Sequence, residues 1–438
     1  MEPPPSQAAP AFRIAPFRFE VTPPLGHPLC GGMVKPVLAH DDSLEALGYV
    51  LLGAGDPIVV CAVDWTGLLN EAHLAWRTAL AEAAGTTPER VAVHCVHQHN
   101  APFVCLTAHR ETARFPELPP MLDEGFFHTC LDRARSAVTA ALGRARPVTH
   151  VAHGSAPVAQ VASNRRVWRD ANGQVILMRG SGCKDPQLRA LPEGVIDPNL
   201  QTIAFYDGAT KVVACHYYAT HPMSYYGDGR VTSDFCGLAR KQRQREEPGC
   251  LHLYFTGCSG NLAAGKYNDG EPATRRLLTQ RMYDGMVAAE AALRPAPLQT
   301  VSWRTQDILP PNNPDHTLAG VQAQVANPEC LLLERQRLAF RLGWLRRQER
   351  QVPVMLSALR LNHCSVLHLP GEPFIEYQLR AQQLSPAGPV AVAAYGDGGP
   401  WYVPTREEYA CGGYEVSVAY CSEQVDAMLT AAMRALLG

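Results

Sequence analysis

A chain of 438 residues, 46% hydrophobic and 18% charged, carries enough apolar material for an ordinary globular core, which excludes the disordered and fibrous classes. A formal net charge of −2, with no long block of Lys or Arg, leaves no electrostatic footprint for nucleic acid or an anionic membrane and points to a small-molecule partner. Fourteen scattered cysteines without a CxxC pair, no basic-then-apolar leader and no apolar run of about 18 residues read as a soluble cytoplasmic protein with reduced thiols and no transmembrane segment.

Residues 1–11, rich in Pro and Ala, read as a disordered tail, with one domain over 12–438. Phe17 to Thr22 alternates like a strand, and Pro57 to Val63 is an apolar strand. Leu69 to Ala84 carries Leu69, His73, Trp76, Leu80 and Ala83 on one helical stripe. Glu89 to Val96 is again β-rich, which makes a strand–helix–strand unit and an α/β class of mixed sheets flanked by helices. A helix over Arg133 to Leu142 follows, then strands at His150 to Ala156 and Thr202 to Tyr206. The Asp207-Gly208 turn leads into a hairpin with Lys211 to Tyr218. Leu251 to Phe255 is a strand entering the small-residue loop Gly257 to Gly265, and Glu271 to Leu293 is an amphipathic helix. Cys330 to Arg350 is helical with a basic outer face, and Val354 to Leu361 and Ser365 to Leu369 read as the last core strands. No internal repeat and no Gly/Ser linker is visible.

Three histidines, His94, His97 and His99, fall within six residues at the end of an apolar strand. Strand alternation places His97 and His99 on one face and His94 on the other, so the first two can converge on a metal such as Zn²⁺. The competing reading is two loop histidines hydrogen-bonded to their surroundings. His221 stands where the strand ending at Tyr218 runs out before Pro222; a lone histidine there is more often structural than a ligand. Glu372 follows the Pro370-Gly371 turn, and its alternative is a first-turn helix glutamate facing the dipole.

The segments HQHNAP (97–102), ATHP (219–222) and PGE (370–372) together resemble the zinc-site motifs of the neutral/alkaline, non-lysosomal ceramidases. Tyr402 precedes a PTREEY segment where that family has a ligating tyrosine, and Tyr414 stands twelve residues later, where a second tyrosine contacts the reacting group. Val21 to Gly26, Ser163-Asn164-Arg165-Arg166 and Thr232-Ser233-Asp234-Phe235 match in the same order. The resemblance implies a shorter, divergent, bacterial-type form of the catalytic domain, without the family's C-terminal immunoglobulin-like domain. It implies zinc held by His97, His221, Glu372 and Tyr402, with His99 beside the metal and Arg165 helping to polarise a carbonyl. Thr256-Gly257-Cys258-Ser259-Gly260-Asn261 departs from the family's GDVSPN-like loop, keeping Ser259, a candidate nucleophile there, but losing the proline and the acid. A loop serine is the other reading of Ser259, since its surroundings are not a GxSxG elbow. Gly265 to Gly270 offers polar side chains for a pocket or a solvated turn.

The expected chemistry is hydrolysis of an amide in a lipid-like or N-acylated small molecule by a metal-activated water, with His99 relaying the proton and Arg165 and Tyr414 stabilising the oxyanion. The same residues admit a zinc-dependent ester, lactone or phosphate hydrolase, a non-haem iron enzyme with two histidines and one carboxylate, or a non-catalytic binding homologue.

Overall fold

In Ile58–Val63 every residue is buried, and the two faces of this strand enter different cores. Ile58, Val60 and Ala62 face an interior shared by three sheets, while Val59, Cys61 and Val63 face a helical layer. A strand covered on both sides has no polar face, so it reads as an unbroken apolar run rather than an alternation. This arrangement recurs through the computed structural model, which describes residues 12–438; the tail expected at residues 1–11 lies outside the described residues.

The first sheet comprises β1 (Arg13–Glu20), β2 (Glu45–Leu52), β3 (Ile58–Val63), β4 (Val91–Cys95) and the short β5 (Arg146–Pro147), in the order β4-β3-β2-β1-β5. β1, β2 and β3 are antiparallel, and the helix α1 (Glu71–Ala84) carries the chain over to β4, which is parallel to β3. Trp76 and Leu80 of α1 pack with Phe127 and Val138 of α2 (Glu124–Leu142) as the outer layer.

The second sheet repeats the plan with β6 (His150–Pro157), β7 (Asn199–Asp207), β8 (Thr210–Tyr218), β9 (Leu251–Thr256) and the short β10 (Ala296–Pro297), in the order β9-β8-β7-β6-β10. The crossover from β8 to parallel β9 is α3 (Asp234–Glu246), which packs with α4 (Pro272–Ala291) outside the sheet. The third sheet has β11 (Val301–Ile308), β12 (Val354–Leu361), β13 (Cys364–His368) and β14 (Val390–Ala393), covered by α5 (Leu332–Glu349) between β11 and β12, α6 (Ile375–Leu384) between β13 and β14, and α7 (Val425–Leu437) after β14. Here α6 makes the crossover to β14, parallel to β13. β13 is thus followed by a further core strand, contrary to the expectation that the sheet ends at residue 369.

Each sheet thus contains three antiparallel strands, a helix and a parallel edge strand, and the first two add a short antiparallel strand at the opposite edge. This threefold repetition of topology has no counterpart in repeated residues. Ile14, Tyr49 and Val60 of the first sheet, Phe205, Val213 and Leu253 of the second, and Leu359, Val366 and Ala391 of the third share one core. The three parallel edge strands are joined where they end. The amide of Cys95 donates to Tyr395 O at 2.9 Å, that of Ala394 to Thr256 O at 2.9 Å, and the Thr256 hydroxyl to Val96 O at 2.6 Å.

Other boundaries moved by a few residues: the helix expected over 133–142 begins at Glu124, where Asp123 caps it. The basic outer face expected for α5 is only partly outer, because Arg335 and Arg347 are buried. All fourteen cysteines are free, and twelve of them are buried. No helix of the described residues is long and apolar enough to cross a membrane.

Three buried histidines support the inner ends of these strands. His94 bonds Ala394 O through Nδ1 at 2.7 Å and packs, tilted by 34°, at 5.2 Å from His368, and His73 bonds Val93 O through Nε2 at 3.1 Å. Burial lowers all three: His73 to about 4 despite the pull of Asp397, His94 to about 3, and His368 well below the ordinary value, with His94 adding to it. Because each takes up its proton more readily in the unfolded chain, their stabilisation is complete above pH 6.5 and drains away as pH falls toward 4. Each group contributes about 1.4 kcal/mol per pH unit over that interval. The urea midpoint should therefore drop steeply between pH 6.5 and 4.5; a flat profile there would contradict the neutral state of these rings.

Candidate metal centre at the meeting point of the three sheets

Ligand sites in α/β sheets lie beyond the carboxyl ends of parallel strands, where crossovers leave a crevice. Here three parallel pairs end at one place, and the residues following them carry the chemistry. His97 follows β4, His221 follows β8, Ser259 follows β9, Glu372 follows β13 and Tyr395 follows β14.

His97 and His99 do come together, with ring centroids 5.0 Å apart, though not by strand alternation. β4 stops at Cys95, and His97 adopts φ 77°, a left-handed conformation that turns its ring inward. Such a conformation costs about 1–3 kcal/mol in a non-glycine residue and clusters at functional sites. Tyr395 and Trp401, both with φ 59°, do the same on the neighbouring loops.

The imidazoles are oriented by backbone carbonyls. His97 Nδ1 lies 2.7 Å from Thr66 O, and His221 Nδ1 lies 2.8 Å from Ser259 O and 2.9 Å from Leu262 O. A carbonyl only accepts, so both Nδ1 atoms carry a proton, and in the neutral ring Nε2 is then the nitrogen with the lone pair. Both Nε2 atoms face one carboxylate oxygen, Glu372 Oε2, at 3.3 Å from His97 and 3.2 Å from His221. His97 Nε2, His221 Nε2, Glu372 Oε2 and His99 Nε2 are all buried without a hydrogen-bond partner. His97, His99 and His221 offer nitrogens within 4.8 Å of one another. Burial lowers His221 to about 4 against its contact with Glu372, and lowers His99 well below its ordinary value, with His97 and His221 adding to the effect. For Glu372, burial acts upward, but the positive charge that the facing histidines carry when protonated acts downward and outweighs it, holding the carboxyl low; a bound cation would supply that charge in their place. A low carboxylate facing buried imidazole nitrogens that have no hydrogen-bond partner fits a divalent cation of the zinc type.

Glu372 and Tyr402 are brought side by side by a short parallel ladder in which Glu372–Pro373 pairs with Tyr402–Val403, Glu372 directly opposite Tyr402. Gly371, at φ 64°, makes the turn that lets the strand direction change before Glu372. The Tyr402 ring lies 6.4 Å from His221 and 5.8 Å from Tyr414, and Arg165 Cζ is 5.4 Å from its centroid. Arg165 is buried, donates to Gly260 O and pairs through Nε with Glu415 Oε1 at 3.0 Å. Tyr414, 43% exposed, lines the mouth of the cavity. That cavity, about 670 Å³, is bordered by His97, His99, Glu372, Tyr402 and Tyr414.

Ser259 is fully buried, and its hydroxyl is 2.7 Å from the Tyr395 hydroxyl rather than bonded to nearby backbone. Its carbonyl orients His221. Asn268 in the 265–270 segment is buried and donates to Ser181 O, Met223 O and Ser224 O, so it braces the loop after His221 instead of a pocket.

Tyr395 escaped the sequence reading. It stacks on His97 at 4.2 Å, and its signal, a polar aromatic ending the apolar run 390–394 before Gly396, was the strand-end signal that marked the histidines. Glu415 and Tyr226, whose ring is 5.0 Å from His99, carried no such signal.

A second cluster, His216, His252 and Glu290, is of a different kind. His216 Nε2 and His252 Nδ1 bond each other at 3.1 Å, and Glu290 is already neutralised by Arg243 at 2.9 Å and by Lys211. A cation there would meet two positive side chains.

This architecture matches that of the neutral ceramidase from Pseudomonas aeruginosa, with a TM-score of 0.73 and 15% identity over 98% of this chain and 74% of that one. The chain has the neutral ceramidase fold. A ceramidase complexed with C2 superposes similarly, with a TM-score of 0.71 and 14% identity over 98% of this chain and 75% of that one. No protein-family model and no curated protein sequence matches the chain, so the neutral ceramidase likeness lies in the fold. The described residues hold mixed sheets flanked by helices, as the motifs implied.

Proposed function

We infer that the protein is a zinc-dependent hydrolase that cleaves an N-acyl amide, with His97, His221, Glu372 and Tyr402 as the metal ligands and residues 12–438 as one catalytic domain. The observation that carries this reading is the pair of Nε2 atoms aimed at one buried carboxylate oxygen, none of the three having a hydrogen-bond partner. When bound, zinc supplies Lewis-acid polarisation of the carbonyl and a water of low pKa. The protein's own groups do the rest. His99, a neutral ring bordering the cavity with a free Nε2, accepts the water's proton and returns it to the leaving nitrogen. The Tyr414 hydroxyl and the Arg165 charge stabilise the oxyanion. Ser259 acts through its carbonyl, positioning His221, and its hydroxyl is taken up by Tyr395. The ceramidase fold supports the amide as the bond cut, and the unpaired thiols support a cytoplasmic setting.

Elemental analysis is expected to find about one zinc per chain, by the single-site ligand arithmetic. A panel of N-acyl amines, acyl esters and aryl phosphates should show cleavage of the amides. Turnover of esters or phosphates alone overturns the bond assignment, and iron with oxygen consumption overturns the hydrolase.

A further inference from the structure

Helix α5 forms one wall of the cavity that opens on Glu372 and Tyr402, and Arg337 and Arg341 line it. Four residues apart, they share a face of the helix, where like charges repel each other. The other arginines of α5 have partners: Arg335 with Glu117 at 2.7 Å, Arg346 with Glu349 at 3.2 Å and Arg347 with Asp397 at 2.5 Å. Among the described residues, Arg337 and Arg341 form no ion pair, and Arg341 Nε is buried with no hydrogen-bond partner. Arg341 lies over the Tyr420 ring at 5.3 Å, which holds the guanidinium against the cavity wall. One exposed acid, Glu334, shares this wall a turn earlier, so two guanidiniums face one carboxylate. Met33, Leu333, Leu338 and Val418 around them are apolar. Arg337 is exposed and free to turn into the cavity, while Arg341 is half-buried, its Nη2 reaching only Ser417 O at 3.5 Å and its Nε having no partner; an anionic group on an apolar body would satisfy both beside this apolar wall.

We propose that Arg337 and Arg341 recognise an anionic head group, carboxylate or phosphate, on an otherwise apolar N-acylated substrate. A guanidinium pair one helical turn apart can grip such a group through several charge-assisted hydrogen bonds. The cleaved bond rests on the amide-hydrolase reading above; the charge of the substrate rests on these two arginines. The preferred substrates are therefore conjugates of the N-acyl amino acid kind, and a neutral N-acyl amine is a poor one.

The test compares N-lauroyl glycine with its uncharged counterpart N-lauroyl glycinamide, and adds N-lauroyl phosphoethanolamine to separate carboxylate from phosphate. The charged conjugates are expected to exceed the amide in kcat/KM by about 30-fold, the scale of one to two charge-assisted hydrogen bonds. In Arg337→Gln/Arg341→Gln that ratio should fall to within about threefold, while Arg346→Gln, on the same helix but outside the cavity, should leave the ratio in place. Equal turnover of charged and neutral members by the unaltered protein, or a ratio that survives the double substitution, overturns the proposal and leaves amide hydrolysis standing. Calorimetric binding of the same compounds reads the anion site without turnover. Tighter binding of the charged members, lost in the double variant, would sustain this inference even if no amide is cut, and equal binding would end it.

Discussion

His221→Ala protein is expected to contain no zinc and to lose on the order of a thousandfold in kcat/KM, the rate equivalent of the several kcal/mol of charge stabilisation that a bound cation provides. His97→Ala should do the same, because both Nε2 atoms converge on Glu372 Oε2. Removing the ring also orphans carbonyls: those of Ser259 and Leu262 share the His221 proton. His221→Asn, whose amide can still donate to these carbonyls while offering no imidazole nitrogen, separates loss of metal from loss of structure. Circular dichroism checks the fold and elemental analysis the metal. His99→Ala is the informative contrast. If His99 moves a proton, this variant keeps its zinc and loses about 10²–10⁴-fold in kcat. If its zinc is lost as well, His99 is a ligand, a position its place within 4.8 Å of the other two nitrogens allows. Stoichiometric zinc in either His97→Ala or His221→Ala would remove the basis of the metal assignment.

The strand-end residues were legible because of where parallel strands put their ligands. An apolar run such as Val212 to Tyr218 that stops at a histidine, or Ser365 to Leu369 that stops at Pro-Gly-Glu, announces a polar group at the carboxyl edge of a sheet. His97 and His99 lie together, but through the left-handed φ of His97 and not through strand alternation, and left-handed residues have no periodic signature. The threefold plan stayed hidden because topology is repeated without residues. β3, β8 and β13 share only apolar character, and β14 is four residues of Val and Ala, too short to tell from a buried helix segment. The basic stripe on α5 reads as solvated charge in one dimension. Only the fold shows that Arg335 and Arg347 are paired internally while Arg337 and Arg341 border the cavity. Arg165 stands out in the sequence by its place in a motif, whereas its counter-ion Glu415, 250 residues away along the chain, has no local signal at all.

At that counter-ion one substitution should disturb both stability and the site. Glu415 is fully buried, and its two oxygens face Arg165 at 3.0 Å and Arg166 at 2.9 Å. Arg166 has a second acid, Glu408, at 2.6 Å; Arg165 has none among the described residues. In Glu415→Gln the Arg165 charge would remain buried without compensation, and breaking one side of a buried pair typically destabilises by about 3–5 kcal/mol. Urea unfolding should register a loss near the lower end of that range, since the glutamine carbonyl can still accept one hydrogen bond. The site should suffer too, because the Arg165 guanidinium sits against Tyr402 and the Glu415 backbone adjoins Tyr414. Removing both charges discriminates the cause. If uncompensated charge is the source, Arg165→Met/Glu415→Gln recovers part of the stability while activity stays low, since the role proposed for Arg165 at the oxyanion is then lost. If the double variant is less stable than Glu415→Gln alone, the ion pair is incidental and the backbone packing around 413–418 holds Tyr414 in place.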